Sequence, residues 1–323
     1  MKKLRWGIIG LGEIANKFAQ AVTKMENVEL VSVASRSMEK SIAFGNKYSV
    51  SKDRCYGSYE DIVKDDTVDA IYVAVLHPFH KDISIMCLEN GKAVLCEKPV
   101  TISEEEVKEV IKTAEENKVF FMEAMKTRFL PINKKVKEWI EEGRIGDVRL
   151  LQADFGFKAE FDPLGRLYNK ELGGGALLDV GIYTISYSSF IFGNKPISIG
   201  SNLYIGSTGV DECASINLTY NEGKQAQLYG AINVNSKREA NIIGTEGRIC
   251  VERFSSADTA TIWVNGREEE KIYIPFDING FEYQINEVVD CISNGKFQSE
   301  IMSWQDSIDI MRIMDEVRTQ GIK

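Results

Sequence analysis

Apolar and polar positions follow two different rhythms along this chain, and the change of rhythm divides it. In the first part, short apolar runs alternate with stretches of helical spacing. The runs are "LRWGIIG" (4–10), "VELVSVAS" (28–35), "AIYVAVL" (70–76), "AVLCEKP" (93–99) and "VFFMEA" (119–124). Helical spacing lies between them over 13–24, 37–47 and 79–90. Near-continuous apolar strands alternating with helices predict a doubly wound parallel sheet, buried on both faces. "TISEEEVKEVIKTAEENK" (101–118) starts a further helix, with Ser103 as N-cap and Glu106 completing a capping box. The acidic run Glu104–Glu106 suits a helix N-terminus and needs no other role.

Beyond about residue 122 the rhythm changes. "PINKKVKEWIEEG" (131–143) predicts a helix with Pro131 in its first turn and Gly143 past its end. "DVRLLQADFGF" (147–157) predicts a strand, and 176–192 a second helix. Strand-like runs then follow between 197 and 275: "ISIGSNLYI", "CASINLTY", "QAQLYGAI", "ANIIGTEGRICVE" and "TATIWV". The turns "NEG", "TEG" and "NGR" separate strands in this region, as in an antiparallel or mixed sheet. Helices over 280–294 and 303–319 close the chain. The expected domains are therefore 1–122, binding a nucleotide, and 123–323, binding substrate.

Composition narrows the function without naming it. The chain has 323 residues, 44% hydrophobic and 27% charged, with a net charge of −9. That acidity argues against nucleic acid or an anionic membrane as main partner. "MKKLRWGIIGLGEIA" opens with three basic residues, but Gly7, Gly10, Gly12 and Glu13 break its apolar run, so no signal peptide is expected. No transmembrane helix is expected either, since no run of about 18 apolar residues occurs. Six scattered cysteines without a CxxC predict reduced thiols and a cytoplasmic protein. His77 and His80 are the only histidines, and without a Cys/His cluster no metal site is expected.

The strand "LRWGIIG" runs into Gly10-x-Gly12-x-x-Ala15 at the start of a helix. Gly10 permits a tight turn, Gly12 lets backbone approach a pyrophosphate, and Ala15 lets the helix pack against the strand. Leu11, Glu13 and Ile14 complete this candidate phosphate loop. The free N–H groups at the helix start then face the anion. After the second strand, NAD sites usually carry an acid for the ribose hydroxyls. This chain has Ser35, Arg36 and Ser37 there, with Lys40 one turn on. A guanidinium suits a 2′-phosphate, so NADP(H) is preferred and NAD(H) remains open. The plainer alternative is a solvated surface arginine.

"AVLCEKPV" ends a buried strand with Glu97 and Lys98, at the edge where open α/β sheets bind ligands. Pro99 restricts the backbone of Lys98 and is a candidate cis residue. A solvated Glu-Lys pair is the competing reading. Together, the glycine loop, "EKP" (97–99) and "GGGALLDVGIY" (173–183) resemble the Gfo/Idh/MocA oxidoreductases. In pattern they look nearest to the dimeric dihydrodiol dehydrogenase and NADP-dependent sugar dehydrogenase branch. "VASRS", "LHPFH", "MEAMKTRFLP" and "SWQDSIDIMRIMDEVR" extend the resemblance over nearly the whole chain.

The resemblance implies a Rossmann domain followed by an α+β domain with a large open, mostly antiparallel sheet. It also implies a homodimer or homotetramer formed through that sheet. By the same pattern Lys98 lies near nicotinamide and substrate, while Glu97, Leu76, the backbone of His77, and His80 line the cofactor pocket. Many members of the family carry a histidine where Tyr183 stands; the tyrosine marks the dihydrodiol dehydrogenase-like branch.

Asp179 and Tyr183 are four residues apart, hence on one face of a helix. A buried tyrosine with an ordinary hydrogen-bond partner is the commoner fate of such a pair. Tyrosine titrates near 10, too high for an efficient base at neutral pH. An ammonium about 4 Å away, at an effective dielectric near 20, favours the phenolate by roughly 4 kcal/mol before desolvation. Lys98 is therefore expected to tune Tyr183, with Asp179 orienting substrate or Lys98. Arg128, Phe157 and Arg166 complete the candidate substrate residues, although Arg128 reads equally as a hinge residue with a packing role, and Tyr168 is a further pocket candidate. The expected activity is hydride transfer between NAD(P) and a carbinol carbon of a sugar, polyol or cyclic diol. The rival is an NADP-sensing regulator without turnover, which the fold alone does not exclude.

Overall fold

The computed structural model describes residues 3–321. Its strands are β1 (Leu4–Ile9), β2 (Val28–Ala34), β3 (Cys55–Tyr56), β4 (Ala70–Val73), β5 (Ala93–Glu97) and β6 (Phe121–Ala124), then β7 (Val148–Gly156). They continue with β8 (Ser198–Ile205), β9 (Asp211–Thr219), β10 (Gln225–Ala231), β11 (Ala240–Gly244), β12 (Gly247–Glu252), β13 (Thr259–Val264) and β14 (Arg267–Tyr273). The α-helices are α1 (Glu13–Val22), α2 (Met38–Lys47), α3 (Tyr59–Ile62), α4 (His80–Glu89) and α5 (Glu104–Asn117). After them come α6 (Pro131–Glu141), α7 (Ile182–Phe192), α8 (Phe281–Ser293) and α9 (Trp304–Gly321).

These elements form two compact units. The first holds residues up to Thr101, Glu105–Ala124 and Asp277–Ser307; the second holds Ile102–Glu104, Met125–Phe276 and Ile308 onward. A contiguous division at 122/123 leaves out the return of Asp277–Ser307 to the first unit. The reason is packing. Phe281 of α8 places its ring 6.5 Å from Phe18 of α1, and Asn279 bonds the Lys17 carbonyl at 2.8 Å. Helical spacing shows that α8 is amphipathic but not which helix it covers.

In the first unit six strands lie in the order β3-β2-β1-β4-β5-β6, every pair parallel. Strands β4, β5 and β6 are buried along their whole length, as the apolar runs predict. Trp6, Phe18 and Tyr72 anchor the core; Phe18 stacks on Tyr72 with centroids 3.9 Å apart. The reversal of strand order between β1 and β4 opens a crevice at the carboxyl ends of the strands.

The second unit is built on an eight-stranded sheet in the order β14-β13-β12-β11-β7-β10-β9-β8. Only β7 and β10 pair in parallel, so the sheet is mixed and mostly antiparallel. β9 and β10 alternate buried and less buried positions, which leaves one face open. "ANIIGTEGRICVE" is two paired strands, β11 and β12. The polar strand β14 and the short elements β3 and α3 carry no apolar rhythm and escape a reading by pattern.

The stretch Lys170–Phe192 is long and apolar enough to cross a membrane, with mean hydropathy 1.3. The sequence expectation passed over it. Of that window 78% is buried inside the protein, and its core position accounts for its apolarity.

Candidate active site

The turn after β1 is shaped by contacts that a side chain would break. Gly10 has φ +88°, and a β-carbon there would lie 2.5 Å from the Ala74 carbonyl oxygen. Its N–H bonds Ala34 O at 3.1 Å, tying the turn to the end of β2. A β-carbon on Gly12, by contrast, meets nothing within 4 Å. Gly12 is the N-cap of α1 and offers no side chain to the helix, so the first amides of α1 keep their donors. Asn16 holds the Gly12 carbonyl at 2.8 Å, and Ala15 is fully buried. Glu13 is directed away into an exposed pair with Lys17. Leu11 and Ile14 are half-buried. Open space over a glycine at an uncapped helix start fits a pyrophosphate.

At the end of β2, Arg36 is exposed. Its guanidinium carbon lies 6.0 Å from the Phe79 ring centroid, and the guanidinium bonds the Tyr59 hydroxyl. Burial nevertheless lifts Tyr59 above its ordinary range. Ser37 caps α2 by accepting from the Lys40 amide at 3.3 Å, and Ser35 accepts from the Ser37 amide at 3.3 Å. Both hydroxyls therefore keep their proton as a donor. Lys40 is exposed one turn further on.

The segment after β5 is fixed by buried polar groups. Tyr72 donates its hydroxyl to Glu97. The Lys98–Pro99 peptide is cis. His80 Nδ1 lies 2.7 Å from Pro99 O, and Nε2 3.1 Å from Val75 O. Burial lowers His80 to about 4, against the pull of those two carbonyls, and Lys98 lowers it further. The ring is thus neutral at pH 7 and donates from one of its two nitrogens. Glu123, absent from the sequence candidates, accepts the Val100 amide at 3.1 Å and the Ser307 hydroxyl at 2.8 Å. Only its place in "MEAMKTRFLP" hinted at a role. Lys98 is half-buried, as are Leu76 and His77. The His77 and His80 ring centroids are 5.7 Å apart.

In the second unit the predicted helix over 176–192 begins with a π-helical turn, Leu177–Gly181, and continues as α7. Such single turns recur at functional sites. Asp179 lies in the turn and Tyr183 in the first turn of α7. Asp179 is buried and accepts Arg166 Nη1 at 2.9 Å. Tyr183 lies 5.3 Å from Phe155 by ring centroids, and Arg238 sits 5.1 Å from the other ring of that pair, Phe155. Arg238 has φ +61°, an uncommon backbone for an arginine. It bonds Asp154 and the Gly156 carbonyl. Nothing in the apolar rhythm pointed to it.

The glycines before this helix accommodate close neighbours. A β-carbon on Gly174 would lie 2.6 Å from Leu167 O. One on Gly175, which has φ +118°, would strike Asp211 Oδ1. Asp211 Oδ2 accepts the Leu177 amide at 2.6 Å. Burial lifts Asp211 to about 6, although the amides of Leu177 and Ala176 and the charge of Arg318 pull it down.

Two further candidates are buried. Arg128 is buried, with Nε 3.4 Å from Ser186 Oγ and Nη2 2.8 Å from Ser189 Oγ, which describes packing against α7. Tyr168 is buried in a core cluster with Val180 and Ile232. Phe157 packs at the edge of the same cluster. Lys98 belongs to the first unit, and Asp179, Tyr183 and Arg166 to the second.

A doubly wound sheet with an open, uncapped glycine turn at its switch point defines a dinucleotide-binding α/β protein. Residues 4–125 match the oxidoreductase family with an NAD-binding Rossmann fold, and residues 133–250 match the GFO/IDH/MocA C-terminal domain. The chain belongs to the Gfo/Idh/MocA oxidoreductase family. It is 38% identical to trans-1,2-dihydrobenzene-1,2-diol dehydrogenase of Xenopus tropicalis, over 98% of this chain and 97% of that protein. Identity to the human protein of that name is 33%, over 98% and 96%. Among solved structures, aldose-aldose oxidoreductase from Caulobacter crescentus, complexed with glycerol, superposes with TM-score 0.91 at 22% identity, covering 99% of this chain and 98% of that one. A 3-ketoreductase from Actinomadura kijaniata, in complex with NADP and TDP-benzene, gives 0.90 at 24%, covering 99% and 98%. At those identities the two structures speak for the fold.

Two glycine substitutions separate folding from binding. Gly12→Ala is expected to leave the thermal midpoint nearly unchanged and to weaken dinucleotide binding by roughly tenfold or more. Gly10→Ala is expected to lower the midpoint, because φ and the Ala74 carbonyl both oppose a β-carbon. Calorimetry with titration of the reduced cofactor reads both.

His80 sets a pH dependence of stability. Its folded value, about 4, lies below the ordinary 6.5. The unfolded chain therefore binds a proton first as pH falls. The contribution is full above about 6.5 and is lost progressively towards about 4, amounting to roughly 3 kcal/mol at most. The slope of unfolding midpoint against pH in that window is expected to flatten in His80→Gln relative to the parent.

Proposed function

We propose that this chain is an NADP-preferring dehydrogenase or reductase that acts on a secondary carbinol of a cyclic diol, polyol or sugar. What carries the reading is the joint presence of Lys98 on a rigid loop and of Asp179 with Tyr183 on one helical turn, in a chain so close along its length to dihydrodiol dehydrogenases. When bound, NADP supplies the redox chemistry at its nicotinamide. The turn at Gly10–Ala15 holds its pyrophosphate, and Arg36, with Ser35, Ser37 and Lys40, holds its 2′-phosphate.

The protein's own residues handle the proton. The Tyr183 phenol oxygen exchanges a proton with the substrate hydroxyl. The Lys98 ammonium favours the phenolate and the oxyanion that develops on the carbinol oxygen. Arg166 offsets the charge of Asp179, which otherwise opposes ionisation of Tyr183. Asp179 then orients the substrate hydroxyl. Phe155 gives the tyrosine ring an apolar wall. Six cysteines without a disulfide fit a reducing, cytoplasmic setting. The open face of the eight-stranded sheet supports a homodimer or homotetramer.

The primary test is absorbance at 340 nm with NADP and a panel holding trans-1,2-dihydrobenzene-1,2-diol, polyols and aldoses. Turnover of a diol or sugar is the expected result. Tight NADP binding with no turnover across the panel favours the regulator instead. Tyr183→Phe should lower kcat by roughly a hundredfold or more, the scale of lost general acid–base catalysis, with NADPH affinity nearly intact. An unchanged rate removes Tyr183 from the chemistry. Arg36→Ala should weaken NADPH far more than NADH in a binding titration, and equal losses contradict the 2′-phosphate assignment.

A further inference from the structure

The helix that carries Asp179 and Tyr183 starts without a cap of its own. Ala176, at its N-cap position, makes no side-chain cap bond, and the first amides of any helix lack intrahelical partners. Here the partner comes from a strand distant in sequence. Asp211, the first residue of β9, brings its carboxylate to the Leu177 amide at 2.6 Å, and the Ala176 amide bonds it as well.

Two further features belong to the same arrangement. Gly175 lies at φ +118°, and its missing β-carbon is what lets Oδ1 approach. At the other end of the π-helical turn, Gly181 packs directly on β10: a β-carbon on Gly230 would stand 3.0 Å from the Gly181 Cα and N. The turn is therefore fixed at both ends, by a carboxylate at residues 176–177 and by backbone contact at residue 181. Asp179 lies inside those limits, and Tyr183 follows two residues after.

We propose that Asp211 is a positioning residue for the reaction: its carboxylate sets the pitch and start of the π-helical turn and so aims Asp179 and Tyr183. This rests on the roles given to those two residues above. Asp211 acts through the helix start, by its bonds to the Leu177 and Ala176 amides. Loss of the carboxylate lets the turn relax towards a regular α-helix, which rotates Asp179 relative to Tyr183. Reactions that depend on alignment lose large factors for displacements near 1 Å.

The test compares Asp211→Ala, Asp211→Asn and Gly175→Ala in the full chain. The first readout needs no activity: hydrogen exchange of peptides covering 173–187. The second is kcat on trans-1,2-dihydrobenzene-1,2-diol, set against the Kd for NADPH. Asp211→Ala is expected to raise exchange in 173–187 without a general rise elsewhere and to lower kcat roughly 10- to 100-fold. Its NADPH affinity is expected to stay within twofold. Asp211→Asn, which keeps one acceptor oxygen, should recover most of the loss. Gly175→Ala should reproduce the Asp211→Ala exchange pattern, and combining the two should add little, because both remove one contact.

Exchange in 173–187 that matches the parent overturns the proposal. So does an equal fall in kcat and NADPH affinity with exchange raised throughout, which is general destabilisation. If the parent turns over nothing in the panel, the functional reading fails, and the exchange pattern still decides whether Asp211 sets the turn.

Discussion

The backbone from Glu97 to Val100 is held by buried side chains from three other elements, and the site depends on that restraint. Glu97 is held in register with Ala124 of β6, and its carboxylate accepts the Tyr72 hydroxyl of β4; His80 of α4 lies against the Pro99 carbonyl, and Glu123 of β6 bonds the Val100 amide. Lys98 lies between these points. A flexible lysine is a poor electrostatic device, because its charge spreads over many rotamers and is screened by water. Pinning the backbone on both sides reduces the freedom left to the side chain. The arrangement commits polar groups to the interior, and each has its partner, as buried polar networks require.

The second unit reaches a comparable rigidity by other means. Its candidate pair, Asp179 and Tyr183, sits on a helix, where spacing alone brings residues four apart to one face. The start of that helix is irregular. Glycines admit neighbouring backbone and the Asp211 carboxylate, and Arg166 balances the Asp179 charge. In the first unit the surroundings differ: the open space over Gly12 is the counterpart of the crowded space over Gly175. The same residue type therefore serves opposite purposes in the two turns, and only the surroundings distinguish them.

Much of the fold was legible because it rests on rhythm. Strands buried on both faces read as continuous apolar runs, and every one named in the first unit is present. The mixed character of the second sheet was legible from alternation and turns. Long-range partners were not. Nothing in the spacing of α8 tells that it returns to α1. Polar β14 gives no apolar signal. By position Arg128 reads equally as a cleft residue or as a packing residue; its bonds to two serines of α7 are visible only in the fold. The glycine turn after β1 was legible, because Gly10, Gly12 and Ala15 act locally. Glu123, Asp211 and Arg238 were hidden, because each works across a distance in sequence.

The central claim is that this chain's paired residues manage a proton while the bound nicotinamide exchanges a hydride with a carbinol carbon. Isotope transfer tests it most directly. With trans-1,2-dihydrobenzene-1,2-diol deuterated at its carbinol carbons and unlabelled NADP, the account predicts NADPH carrying one deuterium at C4, on one face of the ring, in ordinary water. The second label leaves to solvent as the ketone enolises to the aromatic diol, so only the cofactor is read; NADPH formed without deuterium would contradict the account.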